Sequence, residues 1–161
     1  MNDPLKTVVL GLGNILHSDD GVGPRAVEQL RQDERVPKDV TLIEGGTLGL
    51  ELLAYISDAA RLVVLDAVDV GQLPGTLVRV SAEDLHTLPG NGSVHQLGVA
   101  DLLAGLRILA KRMPEVVLLG IQPATARWGT DLSPAVEAAL PRLVAAALDD
   151  LHARPETGSG S

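Results

Sequence analysis

Short runs of aliphatic and β-branched residues alternate along the chain with segments whose apolar residues recur at helical spacing. A run that is apolar throughout suits a strand buried on both faces of a sheet, and the helical segments can cover those faces. The strand-like runs are Thr7–Gly13, Val40–Glu44, Leu62–Asp66, Thr76–Val80 and Val116–Ile121, and the helical segments are Gly21–Asp33, Thr47–Ser57, His95–Arg112 and Pro134–His152. This order predicts an α/β fold with a mostly parallel sheet of about five strands and helices on both faces.

One connection breaks the alternation. Residues 69–75 hold a proline and two glycines and are too few for a crossover helix, which excludes a parallel return. We therefore expect Thr76–Val80 to run antiparallel beside Leu62–Asp66. The next connection, Ser81–Ser93, is the longest irregular one and is predicted to be a mobile loop.

Length and composition narrow the classes of function. The 161 residues suit a single domain, predicted over residues 1–152, with a disordered tail over 153–161. The net charge of −8 disfavours binding to nucleic acids and anionic membranes. No apolar stretch is long enough to span a bilayer and the first residues do not resemble a signal peptide, so we expect a cytoplasmic protein. The chain has no cysteine, so any chemistry must come from carboxylates, imidazoles, hydroxyl groups or the backbone.

The glycine-rich segment Gly11–Gly23 follows the first strand and contains the adjacent acids Asp19 and Asp20. A dinucleotide site would need a third glycine near the position of Leu16, and the two acids would repel a pyrophosphate. Glu44 could imitate the ribose-binding acid, although it lies farther along the chain than usual. A dinucleotide-binding module stays one alternative. The two acids could instead cap the following helix or form a functional site.

Two further residues lie at element boundaries. Asp66 ends the third strand, and His95 precedes the helix that follows the long irregular connection. Each alone could be structural, as a turn aspartate or a helix-capping histidine. Because the carboxyl ends of parallel strands meet at one sheet edge, we expect Asp20, Asp66 and His95 to come together there. Two carboxylates and an imidazole suit a divalent metal ion, and equally suit acid–base chemistry without metal.

A series of motifs, in this order along the chain, resembles one known family. The motifs are Gly11-Leu-Gly-Asn-Ile-Leu16, Asp19-Asp20-Gly21-Val-Gly23, Glu44-Gly-Gly-Thr47 with Gly49 and Glu51-Leu-Leu53, Asp66-Ala67, Pro74-Gly75-Thr76, and His95-Gln-Leu-Gly98 with Ala100-Asp101. Together they cover most of the chain and resemble the [NiFe]-hydrogenase maturation proteases.

The resemblance implies a three-layer α/β/α fold of the phosphorylase/hydrolase-like kind. It also implies an aspartic-type endopeptidase that removes a C-terminal extension from a hydrogenase large-subunit precursor after nickel insertion. The family's nickel-engaging and catalytic positions correspond to Asp20, Asp66 and His95, and family members carry Asp or Glu at the first of them. On this basis we expect the precursor, not the resting protein, to carry the nickel, and we expect a monomer.

Three further acidic residues match motif positions of the family, but the resemblance assigns them no role. These are Asp19, Glu44 and Asp101. A catalytically silent chaperone that checks for nickel with the same trio of residues stays a second alternative to the endopeptidase.

Overall fold

A computed structural model describes residues 6–46, 51–87 and 98–153, and these build a five-stranded sheet flanked by helices. The strands are β1 Thr7–Leu12, β2 Val40–Gly46, β3 Arg61–Ala67, β4 Leu77–Ser81 and β5 Glu115–Ile121, in the spatial order β2-β1-β3-β5-β4. The helices are α1 Val22–Arg31, α2 Leu52–Ile56, α3 Val99–Leu109 and α4 Pro134–His152, with 3-10 helices at Ser18–Gly21 and Ala82–Thr87. All neighbouring strands are parallel except β4, which confirms the predicted α/β class.

Alternate side chains of the central strands enter two separate apolar clusters, as the period of two in a strand requires. On β1, Val9 packs with residues of α1 and α4, whereas Val8 and Leu10 pack with residues of α2 and α3. The same division holds on β3, where Val63 and Val64 face opposite ways. The sheet is therefore the middle of three layers, and its central strands are apolar throughout because both faces are buried.

The predicted neighbour of the fourth strand is wrong, although its antiparallel direction is confirmed. β4 pairs with β5, which lies between β4 and β3. The connection between β3 and β4 crosses the end of β5 and is hydrogen-bonded to it. The Val68 N–H donates to the Ile121 carbonyl at 3.0 Å, and the Gly75 N–H donates to the Gln122 carbonyl at 2.8 Å. A connection of this length can cross one strand, and these contacts with β5 replace the hairpin that local spacing suggested.

Several helix and strand boundaries in the structure also differ from the predicted ones. The fourth helix has the predicted bounds, whereas the third begins only at Val99, ends at Leu109 and leaves Leu109 exposed. The glycines at the end of the second run continue β2 instead of breaking it. In the predicted mobile loop Ser81–Ser93, Ser81 is the last residue of β4 and Ala82–Thr87 form a 3-10 helix. Residues 88–93, like residues 47–50 and the tail 154–161, lie outside the described residues. None of the described helices is long and apolar enough to cross a membrane.

A charged cluster secures the sheet edge where the parallel strands begin. Arg61 is buried at the start of β3 and donates to the backbone carbonyls of Asp150 and Ala153 and, at 3.2 Å, to the Asp150 carboxylate. Arg79 of β4 donates to the same carboxylate at 2.8 Å, and this bond raises the pKa of Arg79. The cluster gives two carbonyl groups at the end of α4 a donor, and it pairs the buried charges of Arg61 and Asp150.

Candidate active site

Two glycines bring the first helix against the carboxyl ends of the central strands. A Cβ on Gly23 would lie 2.4 Å from the carbonyl oxygens of Leu12 and Leu65, and a Cβ on Gly11 would lie 2.6 Å from the Gly23 carbonyl. No larger residue fits at either position without displacing backbone. This close approach fixes the 3-10 turn Ser18–Gly21, and with it both neighbouring acids, at the sheet edge where we predicted a site.

Asp20 presents a buried carboxylate at this edge. The side chain is 3% exposed, and its Oδ2 accepts a hydrogen bond from the Asn14 N–H at 2.8 Å. Its Oδ1 is also buried and, within the described part of the chain, has no hydrogen-bond partner. An unsatisfied buried carboxylate oxygen costs free energy, so such an atom is more readily explained as a ligand group than as a structural one.

The Gly-x-Gly turn at the end of β1 positions a backbone N–H that binds this carboxylate, where a dinucleotide site would bind a phosphate. Gly13 has φ +122°, and a Cβ there would lie 1.8 Å from the Asp20 carbonyl oxygen. The Asn14 N–H, a backbone donor of the kind a pyrophosphate would use, is bound by Asp20. The observed turn therefore supports an acidic site and gives no support to the dinucleotide-binding alternative.

Asp19 has a different role from its neighbour. Its carboxylate is fully buried and accepts four hydrogen bonds, from the N–H groups of Ala124, Thr125 and Ser133 at 2.8, 3.1 and 2.7 Å and from the Ser133 hydroxyl at 2.8 Å. These donors lie on the connection between β5 and α4, and Ser133 directly precedes the first residue of α4. With its acceptor positions occupied, Asp19 fixes that connection and is not available as a ligand.

Asp66 is fully buried one residue before the end of β3. Since Leu65 and Ala67 face α1 and α4, Asp66 lies on the opposite face, which α2 and α3 cover. The 3-10 turn that carries Asp20 packs against β3, so the structure brings both acids to the same sheet edge.

His95, the third predicted site residue, lies outside the described residues. Its predicted place beside the acids is thus untested, although α3, which begins four positions later, covers the face of β3 that carries Asp66. Within the ranges 6–46, 51–87 and 98–153, no three acidic or imidazole side chains are grouped to hold a metal ion. Asp101 accepts a hydrogen bond from the Gly98 N–H at 3.1 Å and thereby caps α3, and Glu44 is exposed.

The connection between β5 and α4 is a part of the site region that the sequence pattern missed. Gln122, directly after β5, accepts hydrogen bonds from the N–H groups of Val70 and Gln72 at 2.8 and 3.2 Å, and it donates to Asp69 at 3.2 Å. It therefore ties the connection after β3 to the one after β5. The sequence signal that could have pointed to this connection is Trp128, the single tryptophan of the chain.

Comparison with known proteins agrees with this geometry. The family model described as hydrogenase maturation protease matches residues 24–150. HupD, a hydrogenase expression/formation protein of Rhodobacter capsulatus, is 37% identical over 93% of this chain and 73% of its own length. The hydrogenase 2 maturation protease of Escherichia coli is 38% identical over 83% of each chain.

Solved structures give the same result. The hydrogenase maturating endopeptidase HybD from E. coli superimposes with a TM-score of 0.81 at 35% identity, covering 91% of both chains. The [NiFe] hydrogenase maturation protease HybD from Thermococcus kodakarensis gives a TM-score of 0.74 at 30% identity, over 91% of this chain and 99% of that one. The sheet order, the acidic edge and these similarities lead to one conclusion: the chain belongs to the hydrogenase maturation protease family.

Proposed function

We propose that this protease removes the C-terminal extension of a [NiFe]-hydrogenase large-subunit precursor once nickel has been inserted. The observation that supports this most directly is the Asp20 carboxylate, which is oriented by the Asn14 N–H through one oxygen and keeps its other oxygen without a donor among the described residues. Family membership supplies the protein substrate, and the acidic edge supplies groups that can meet a cation at the cleavage site.

The proposed mechanism assigns separate tasks to the residues at this edge. Asp20 and Asp66, together with His95 from the motif match, engage the nickel that the precursor carries. Carboxylate oxygens and an imidazole are suitable ligands for such an ion, and an incomplete protein ligand set leaves room for the precursor's own groups. When bound, the ion would polarise a carbonyl group as a Lewis acid.

In the alternative to Lewis-acid activation, Asp20 itself acts on the water as a general base. A carboxylate whose Oδ2 is held in place and whose Oδ1 is unpaired can accept a proton from a water molecule that attacks the scissile carbonyl. The water oxygen would bond to the carbonyl carbon, and its proton would pass to Oδ1 and from there to the amide nitrogen. The C–N bond would then break, leaving a carboxylic acid on one product and a free amine on the other. Asp19 takes no part in this chemistry and only holds the neighbouring connection.

The intact mass of the precursor tests the proposal. Nickel-loaded and nickel-free precursor are each incubated with the protein, and the mass of the large subunit is followed over time. We expect loss of a C-terminal peptide from the nickel-loaded form alone. Loss from both forms would contradict nickel gating. Binding without loss from either form would contradict the endopeptidase and favour the nickel-checking chaperone.

We also predict that the resting protein holds no tightly bound nickel, because the precursor is proposed to bring the ion. Elemental analysis after purification without strong chelators is expected to find nickel far below one equivalent, and titration with nickel alone is expected to give weak binding. Stoichiometric nickel that survives mild chelation would contradict a substrate-borne ion.

A further inference from the structure

An apolar surface extends from the Asp20 turn to the connection between β5 and α4. Ile15, Leu16 and Trp128 are 51%, 48% and 77% exposed. We call Ile15, Leu16, His17 and Trp128 the apolar rim. Contiguous exposed apolar side chains of this kind mark surfaces that bind a partner.

The apolar rim is continuous with the candidate active site. Ile15 packs against Gly21, the residue after Asp20, so closely that a Cβ on Gly21 would lie 2.8 Å from the Ile15 Cα. Leu16 and Trp128 are neighbours across a short parallel pairing, in which the Gly129 N–H donates to the Leu16 carbonyl and the Ser18 N–H to the Gly129 carbonyl, both at 2.8 Å. The rim therefore lies directly beside the turn that carries Asp20.

The rim is also held rigid before any partner binds. The His17 and Trp128 rings contact each other with centroids 4.2 Å apart and an interplanar angle of 37°. The Ser18 hydroxyl donates to the Arg127 carbonyl at 3.0 Å, and Arg25 donates to the Thr130 carbonyl. Together with the four bonds to Asp19, these contacts hold the backbone on both sides of the rim, which lowers the conformational entropy lost on binding.

We infer that the apolar rim is the docking surface for the protein substrate, with Trp128 as its main anchor. This inference rests on the proposed function for the identity of the occupant, which is the hydrogenase large-subunit precursor next to its scissile segment. A protease of this family needs a surface beside its acids that binds protein, and the rim adjoins Asp20 directly. Exposed, rigidly held tryptophans are among the residues that contribute most to protein–protein affinity.

The single tryptophan provides a site-specific measurement. Protein labelled with 5-fluorotryptophan has one fluorine resonance from the chain, that of Trp128, whatever tryptophans the unlabelled precursor contains. Addition of nickel-loaded precursor is expected to change the chemical shift of this resonance, with saturation in the concentration range in which cleavage saturates; broadening alone, which any large complex produces, would not count as contact at Trp128. A resonance that changes with the concentration of the labelled protein alone would indicate a second copy on the rim and would overturn the inference.

Kinetics of Trp128→Ala complete the test. Loss of the anchor is expected to raise KM about tenfold or more and to leave kcat within about twofold, because docking contributes equally to substrate and transition state. Tyr55→Ala is the matched control. Tyr55 is an exposed aromatic residue at the opposite edge of the sheet, where its backbone carbonyl accepts a hydrogen bond from Lys6. The KM of the Tyr55→Ala variant is expected to equal the wild-type value. Thermal melting verifies that both variants fold.

The outcomes separate the two proposals. Cleavage with an unchanged fluorine resonance and an unchanged KM for Trp128→Ala would overturn the docking surface and leave the endopeptidase intact. A precursor-dependent resonance without loss of peptide would support the docking surface and overturn the endopeptidase. If the labelled protein neither binds nor cleaves the precursor, both proposals are wrong.

Discussion

An Asp20→Asn variant is expected to cleave nickel-loaded precursor at least about 100-fold more slowly than the wild-type chain. The amide oxygen can still accept the Asn14 hydrogen bond, so the turn keeps its conformation, but the negative charge and the proton-accepting oxygen are lost. The melting temperature is expected to change by only about 2–4 °C, the effect of about 1 kcal/mol in a domain of this size. Initial rates by intact mass and a thermal melt in the same buffer measure the two effects separately.

Two further variants make the result specific to this position. Asp58→Asn removes an exposed acid that pairs with Lys6 at the opposite sheet edge, and it is expected to cleave at the wild-type rate. Asp20→Glu keeps the charge and matches the alternative residue that the family resemblance allows, so it is expected to retain most of the activity. Wild-type cleavage by Asp20→Asn would remove this carboxylate from the mechanism.

Asp19→Ala is expected to lower the free energy of unfolding by roughly 3–5 kcal/mol. The substitution leaves four donors on the connection between β5 and α4 without their acceptor, and each buried donor that loses its partner costs about 1–3 kcal/mol unless water reaches it. This is a large part of the roughly 5–15 kcal/mol by which domains are stable. Urea denaturation followed by circular dichroism gives the midpoint and slope from which the difference is obtained.

Ser133→Ala is the matched control for Asp19→Ala. It removes one of the four hydrogen bonds, from the Ser133 hydroxyl, and leaves the three backbone donors in place. The expected loss is therefore about 1 kcal/mol. If Asp19→Ala were no more destabilising than Ser133→Ala, the carboxylate would not be the structural anchor that its contacts indicate, and a role in the site would have to be reconsidered.

The layers of the fold could be predicted because each depends on local pattern. Apolar runs such as Leu62–Asp66 lie within strands, and Pro134–His152 is a helix with the bounds that its start signal and apolar stripe predict. The neighbour of β4 could not be predicted, since it depends on contacts between residues 68–76 and the end of β5, which lie far apart in sequence. Local spacing favours a hairpin and carries no information on such contacts.

The candidate site shows the same limit at the level of single residues. Asp19 and Asp20 are identical neighbours, so no sequence pattern separates a structural acid from a ligand. The difference arises from hydrogen-bond donors more than a hundred residues away. Ala124 and Ser133 donate to the Asp19 carboxylate, whereas one oxygen of Asp20 has no donor among the described residues. The placement of Asp66 at the same edge follows from parallel strand direction alone and was predictable.

The charged cluster at the start of β3 has a practical consequence for how this protein can be attached to a surface. Because Arg61 binds the carbonyl groups of Asp150 and Ala153, the end of α4 is fixed at the sheet edge farthest from Asp20. His152 is an exposed position in that last turn, and because the chain has no cysteine, a His152→Cys variant would carry a single thiol. Biotin coupled to this thiol would orient every immobilised molecule with its acidic edge toward the solution. Surface-based binding assays with a bulky folded precursor could then be run without steric interference from the support.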